Sequence, residues 1–334
     1  RLGEVLKNQG KYADATAAFE RYLTTSAKGN PEFTDLATVE IASCRWATAN
    51  LQDTTGVQVV NADKKINSPY SDFAPYIAGD TMYFSSYRFN KRGDRSTPRV
   101  KMTKVMFSVG DGRAREVTKA FPSTDTAHVA HTAFAAEGHF LFVTLCKNIN
   151  ASDIRCEIWL VVQDIRKRWG TPVRLPEPVN LPGYTSTQPY VAYDSLAEQL
   201  NLWFASDRPG GKGGLDIWRL PLDTIWFCPC NVPVDSRKPL RMPRFEDAPV
   251  NLEQVNTPGN DVTPFFHETT QTLYFSSDSR QGYGGYDIYK SNAGASGFSA
   301  PENAGPGLNT SYNDLYFTLR PDGKTQVTVE YHDG

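Results

Sequence analysis

A mainly β chain with an α-helical N-terminal segment, its strands arranged as a β-propeller of about five blades, is what the sequence predicts. Two observations carry this. First, the hydrophobic period switches from 3.6 residues in the opening segment to 2 from residue 57 onward, the change expected when helices give way to strands. Second, one segment recurs along the β part. Ile66-Asn67-Ser68-Pro69-Tyr70-Ser71-Asp72, Val255-Asn256-Thr257-Pro258-Gly259-Asn260-Asp261 and Leu308-Asn309-Thr310-Ser311-Tyr312-Asn313-Asp314 share a linker. Aligned on its aspartate, the copies place Asp72, His128, Ser186, Asp261 and Asp314 at intervals of 56, 58, 75 and 53 residues. Four strands per roughly 50 residues is propeller arithmetic.

Within residues 1–52, Leu2, Leu6, Tyr12, Ala15, Phe19, Tyr22 and Leu23 follow helical spacing, and Gly10 punctuates the first turn. Asn30-Pro31 opens a second amphipathic stretch running to Leu51, with Pro31 suited to a first helical position. The placing of Leu2, Gly3, Gly10, Tyr12, Ala15 and Phe19 resembles the L-G-x-x-x-x-x-x-G-x-Y-x-x-A-x-x-x-F pattern of tetratricopeptide repeats, over about one and a half repeats. An ordinary helical hairpin is the other reading. So short a solenoid cannot bury its own faces, which calls for further repeats upstream or packing on the next domain.

Residues 53–334 carry the expected propeller. After each linker and first strand comes a second: Met82-Tyr83-Phe84-Ser85-Ser86, Leu202-Trp203-Phe204-Ala205-Ser206 or Leu273-Tyr274-Phe275-Ser276-Ser277. Glycine-rich turns at 208–214 and 281–285 then lead into Asp216-Ile217-Trp218 and Asp287-Ile288-Tyr289, and Glu157-Ile158-Trp159 is a degenerate copy of that third strand. The long interval is an insertion, mostly Trp226 to Glu246. Gly56 to Asn61 sits where a fourth, outermost strand belongs and is expected to complete the last blade, removing an exposed edge. That last blade supplies Tyr316–Leu319 and Gln326–Glu330 but no third strand, so the chain reads as a fragment of a longer one.

Composition excludes several classes. With 35 basic and 37 acidic residues the net charge is −2, which argues against a nucleic-acid binder. No apolar run approaches the roughly 20 residues of a membrane-spanning helix. Of five cysteines, Cys44 reads as a small buried hydrophobe. Cys146 and Cys156 flank a polar stretch between two strands, which suits a disulfide across the mouth of a hairpin in an oxidising compartment. Cys228-Pro229-Cys230 reads as two loop thiols or a loop disulfide.

The N-[ST]-x-x-x-D linker, the aromatic-F-S-S strand and the G-G-x-G-G-x-D-I-[WY] turn together resemble the WD-like repeat of TolB-type propellers. Helices followed by such a propeller resemble a family of periplasmic, outer-membrane-associated Bacteroidetes proteins. The resemblance implies a periplasmic location, protein partners in an envelope complex and a link to type IX secretion. It also implies peptidoglycan binding, through an OmpA-like domain outside this chain. His128 in the aspartate slot and the missing glycine-rich turn in the second blade depart from the pattern.

A search for catalytic motifs finds no G-x-S-x-G elbow, no H-E-x-x-H and no P-loop. His128 and His131, three apart on a strand, point to opposite faces, so neither they nor His139 are expected to hold a metal. No cofactor is expected. The sharpest candidate site is a channel-mouth ring of Asp72, His128, Ser186, Asp261 and Asp314, able to bind a cation or a basic segment. The same aspartates equally suit hydrogen bonding to the backbone of the tight linkers. Asp80-Thr81-Met82, Asp125-Thr126-Ala127, Asp194-Ser195-Leu196 and Asp223-Thr224-Ile225 resemble D-[ST]-apolar O-glycosylation sites. The expectation is therefore a non-enzymatic periplasmic scaffold. Its alternative is a propeller that binds a glycan or small ligand, or the accessory propeller of a hydrolase whose catalytic domain lies elsewhere.

Overall fold

The computed structural model describes residues 1–25, 31–51, 60–89, 101–110, 112–117, 127–150, 153–236, 238, 245, 247–320 and 326–331. Three helices come first: α1 (Leu2–Asn8), α2 (Tyr12–Thr25) and α3 (Pro31–Asn50). Gly10, at a φ of 70°, makes the break between α1 and α2 that most side chains would resist. Tyr12, Ala15 and Phe19 of α2 pack against Ala37, Ile41, Cys44 and Ala47 of α3, and Lys7 reaches Glu40 at 2.6 Å. These helices form one small cluster. The expected tetratricopeptide repeats are corrected: three helices, with no second copy of the pattern among the described residues, do not make a repeat array.

Strands follow in antiparallel sheets. The first is β1 (Asp72–Ala78), β2 (Thr81–Phe89), β3 (Lys101–Val109) and β4 (Arg115–Glu116). The second is β5 (His128–Ala135), β6 (Phe140–Asn148), β7 (Ile154–Val162) and β8 (Val173–Arg174). The third is β9 (Ser186–Asp194), β10 (Gln199–Ser206), β11 (Asp216–Pro221) and β12 (Val250–Asn251). The fourth is β13 (Asp261–His267), β14 (Thr272–Ser277) and β15 (Asp287–Gly294), with β16 (Gly297–Phe298) and β17 (Glu302–Asn303) both paired to β15. Finally β18 (Asn313–Leu319) pairs with β19 (Gln326–Tyr331). The first strands lie beside one another in the order β1, β5, β9, β13, β18 and back to β1, so the molecule is a propeller with four full blades and a two-stranded sheet.

Each sheet is apolar on both faces because each face meets a neighbouring sheet. Phe140, Phe142 and Ile158 of the second sheet pack with Leu202, Phe204 and Trp218 of the third. Trp203 and Ile217, on the third sheet's other face, pack with Phe266, Leu273 and Phe275 of the fourth. Met82, Phe84 and Met106 of the first sheet receive Val327 of β19, which joins the last sheet to the first. Fully burying each such aromatic or aliphatic side chain contributes about 1.5–3 kcal/mol.

The linkers are held by one residue type. Asn180 accepts from the Ile158 N–H at 2.8 Å and donates to its carbonyl at 2.7 Å. Asn256 does the same to Ile217, and Asn309 to Ile288. A carboxamide presents one acceptor and two donors, so it pairs with a strand residue as another strand would. The asparagine thus fastens these three linkers to the third strand of the blade before, whereas Asn67 in the first linker donates to Asn61 Oδ1 and the Ala62 carbonyl.

Two expectations change at this level. Of the strand expected over Gly56–Asn61, residues 56–59 lie outside the described residues, and Val60 and Asn61 are not in a strand. In the second sheet, the position equivalent to the linker aspartate belongs to Val129, one residue after His128. The ladder fixes this: Val129 faces Leu145, which faces Glu157, as Asp261 faces Ser277 and then Asp287.

The helices dock on the fourth sheet. Tyr283, in the turn between β14 and β15, is 2% exposed and belongs to the helical core, with its ring 5.1 Å from Trp46 and 6.4 Å from Tyr12. Its hydroxyl donates to the Asn50 carbonyl at 3.0 Å, and the Ser311 hydroxyl donates to that of Asn8 at 2.7 Å.

Candidate ligand site in the propeller channel

Every first strand contains the same irregularity. The ladder to the second strand slips between Phe73 and Tyr76, Ala130 and Thr132, Thr187 and Tyr190, Val262 and Phe265, and Leu315 and Thr318. Within each slip one non-glycine residue takes a positive φ: Ala74 (52°), His131 (53°), Gln188 (55°), Thr263 (54°) and Tyr316 (61°). Such backbone is uncommon for residues other than Gly, Asn, Asp and His, and Thr, being β-branched, is the least suited to it. A β-bulge re-aims a side chain, and here it does so once per sheet. All five residues line one cavity of about 40 Å³ at the centre of the ring, room for about one water molecule.

The bulges are held by side chains of adjoining blades. Ser85 Oγ accepts the His131 N–H at 3.0 Å, and Thr144 Oγ1 accepts that of Gln188 at 3.1 Å. Gln188 Oε1 in turn accepts the Thr263 N–H at 2.9 Å. Proline follows the bulged residue at Pro75, Pro189 and Pro264, where a missing N–H costs no ladder hydrogen bond.

Around the cavity the chemistry is aromatic with polar tips. His131 and Tyr316 stack at 5.6 Å and share a hydrogen bond, Nε2 to hydroxyl, at 3.1 Å. Phe73 sits 5.7 Å from His131 and 5.8 Å from Tyr316. Tyr76, Tyr190, Phe265 and Phe317 form a second tier, with centroids 6.0, 5.0 and 5.6 Å apart in succession. Thr132 Oγ1 is buried in the lining with no protein partner, so it is free for a water or a ligand hydroxyl. Desolvation pushes the His131 imidazole down to about 3, which leaves the ring neutral across ordinary pH. Burial also holds the Tyr316 and Tyr190 phenols above their usual range.

The five ring residues expected from sequence lie elsewhere, and none lines this cavity. Asp72 accepts the Ser68 N–H at 2.6 Å, Asp261 that of Thr257 at 2.5 Å and Asp314 that of Thr310 at 2.6 Å, each inside its own linker. Ser186 donates to the Val179 carbonyl at 2.8 Å. His128 Nδ1 accepts the Thr103 N–H at 3.1 Å, and its ring stacks on Tyr87. Cys146 and Cys156 are joined by a disulfide across β6 and β7. Among the described residues no cluster of His, Cys, Asp and Glu is arranged to hold a metal. No helix described is long and apolar enough to cross a membrane.

Sequence reasoning passed over the channel residues because they share no chemistry. A signal existed beside them: proline-aromatic pairs recur in the first strands as Pro75-Tyr76, Pro189-Tyr190 and Pro264-Phe265.

No protein-family model matches the chain, and no curated protein does. Among solved structures, the chain is similar to an α-L-arabinofuranosidase from Lactobacillus brevis, with 13% identity, a TM-score of 0.49, and coverage of 80% of this chain and 86% of that one. It is similar to an endo-arabinase from Bacteroides thetaiotaomicron, with 12% identity, a TM-score of 0.45, and coverage of 83% and 99%. A thermostable family-43 glycoside hydrolase matches at 11% identity with a TM-score of 0.46, over 80% and 86%. All three are enzymes by name, and none is a tetratricopeptide or OmpA-type protein. On that ground the expected kinship with tetratricopeptide and OmpA-type proteins of type IX secretion is corrected, as are the non-enzymatic scaffold and the label of non-enzyme. At 11–13% identity the likeness is one of fold.

Proposed function

We propose that the chain is a ligand-binding propeller, with hydrolase-like architecture, that takes a neutral carbohydrate across the channel mouth. The observation that carries this is the repeated bulge, which sends one side chain from each of five sheets into a single cavity at an energetic cost in backbone strain. Sugars present flat C–H faces and a rim of hydroxyls. Phe73, Tyr76 and Tyr190 offer ring faces to the former. The neutral His131, the Gln188 carboxamide, and the Thr132 and Tyr316 hydroxyls offer donors and acceptors to the latter. A cavity of about 40 Å³ admits one hydroxymethyl group or water, so a pyranose would lie over the mouth with one substituent inserted. In this reading the two-stranded sheet is the inner half of a fifth blade, since β18 carries the fifth bulge.

Glycoside hydrolysis uses two carboxyl groups, and among the described residues no Asp or Glu lines the cavity. The role proposed for these residues is therefore recognition. Calorimetry with arabino- and xylo-oligosaccharides tests it, with reducing-sugar release followed in the same samples. Saturable binding that weakens about tenfold in Gln188→Ala is the expected outcome, with a lowered melting temperature because the Thr263 N–H loses its acceptor, and with the folded fraction fixed by circular dichroism at the titration temperature. Equal affinity between pH 5 and 8 is also expected, because His131 does not titrate there. Absence of binding across both series, or binding unaffected by Gln188→Ala, would overturn the reading.

A further inference from the structure

The insertion after β11 begins as a rigid turn carrying two thiols. Asp223 accepts the N–H groups of Ile225 and Trp226 at 2.9 and 3.1 Å. Asn231 Nδ2 donates to the Ile225 carbonyl at 2.9 Å. Phe227 is 2% exposed and packs its ring on Phe140 and Phe142 of the second sheet, with Trp226 against Phe140. The turn is thus fixed at both ends and pinned to the core. Between the pins stands Cys228-Pro229-Cys230, in which Cys228 caps a single 3₁₀ turn over Pro229–Asn231. Both cysteines are free; Cys230 is exposed and Cys228 half-buried.

The two cysteines are in contact within this turn. The Cys230 N–H donates to Cys228 Sγ at 3.2 Å, and Pro229 locks the backbone between them. We propose that Cys228 and Cys230 form a dithiol–disulfide couple that exchanges with low-molecular-weight aliphatic disulfides. Cys228, as thiolate, attacks one sulfur of the disulfide; the S–S bond breaks and one small thiolate leaves. Cys230 then loses its proton and attacks the mixed disulfide at Cys228 Sγ, which expels the second small thiolate and closes a Cys228–Cys230 bond. The protein dithiol loses two electrons and two protons, and the disulfide gains them as two thiols. Electrostatics assign the order. A hydrogen bond from the Cys230 thiol, with that from its N–H, draws Cys228 below the usual thiol range and pushes Cys230 above it, so Cys228 is the attacking sulfur. Cys44 is excluded: it is buried among the helices and its thiol is pushed up to about 11.

The test uses the full chain with oxidised glutathione as probe, read by peptide mass mapping. Loss of two thiols, with the new disulfide confined to Cys228 and Cys230 and with Cys44 still reduced, is expected. Cys230→Ser is expected to trap one glutathionyl group on Cys228, whereas Cys228→Ser leaves Cys230 labelled about tenfold more slowly. Melting temperatures of both variants report whether the turn stays folded. For either variant that unfolds, iodoacetamide labelling rates at Cys228 and Cys230 in the unmutated chain give the same comparison. Equal rates at the two thiols, or separate glutathionyl groups on each with no internal disulfide, would overturn the proposal.

Discussion

The second sheet and the third and fourth sheets close the same gap, between the second and third strands of a blade, in different ways. In the fourth, Gly282 brings the turn onto Asp287, whose carboxylate accepts the Tyr283 N–H at 2.6 Å; a Cβ on Gly282 would collide with that carboxylate. The third repeats this with Gly211 and Asp216, where the Lys212 N–H is the donor. The second sheet has neither the glycines nor the aspartate. Glu157 stands in the aspartate position and forms an ion pair with Arg174 at 2.7 Å, while the Cys146–Cys156 bond clamps the strands one ladder step farther out. A covalent clamp leaves the turn sequence unconstrained, whereas a hydrogen-bonded clamp dictates glycine at the point of closest approach. That is why the sequence repeat fades in the second blade while the structural repeat does not.

The comparison makes its largest prediction at the glycines. Gly282→Ala, and equally Gly211→Ala, is expected to cost about 3 kcal/mol in urea unfolding, since the displaced atoms are a carboxylate already fixed by the turn. A loss under about 1 kcal/mol at both sites would mean that the aspartate clamp has slack. Next comes the covalent clamp. Replacing Cys146 and Cys156 by serine together opens a short loop, 10 residues in sequence separation, and should cost about 2–3 kcal/mol. In reducing buffer the unmutated chain should lose the same amount and the double variant nothing further.

The effect of pH is the smallest per step measured, at most about 1.4 kcal/mol per pH unit, and again sets one part of the molecule against another. His131 stays neutral in the folded protein down to about 3, while in the unfolded chain it takes up a proton near 6.5. The unfolded state therefore binds the extra proton, and stability present above pH 6.5 is lost as pH falls toward 3, by at most about 1.4 kcal/mol per pH unit. Asp287 works in the opposite sense. Burial raises its carboxyl to about 7 against 3.8 for a free one, so the folded state holds the proton and stability falls as pH rises from about 4 to 7. Equilibrium unfolding across pH 3–8 should show His131→Gln flattening the acid limb and Asp287→Asn the limb between 4 and 7. A single slope altered by both variants would contradict the assignment.

Much of the architecture was legible in the sequence because propeller strands are periodic and their linkers repeat. Asn256-Thr257 and Asn309-Thr310 marked the joints, although the pairing of the asparagine with the preceding third strand could not be read from spacing. The slip of one residue at His128 arose because nothing in the second blade marks the aspartate position; only the ladder places Val129 there. Nothing in the glycine-rich turn at 281–285 marks Tyr283 as special, yet it is the side chain on which the helices sit. The channel residues were invisible for a different reason. A bulge is a backbone state set by neighbours such as Ser85 and Thr144, and Ala74, His131, Gln188, Thr263 and Tyr316 have no common side-chain property to betray it.

The bulge separates two tasks that strands usually combine. Residues before and after it carry the ladder, while the bulged residue leaves the ladder and turns to the channel and to the sheet beside it. Each blade therefore writes a single letter into the channel. Some letters are linked across sheets, Gln188 to the Thr263 N–H and His131 to the Tyr316 hydroxyl, so a change in one blade's letter is felt in the next.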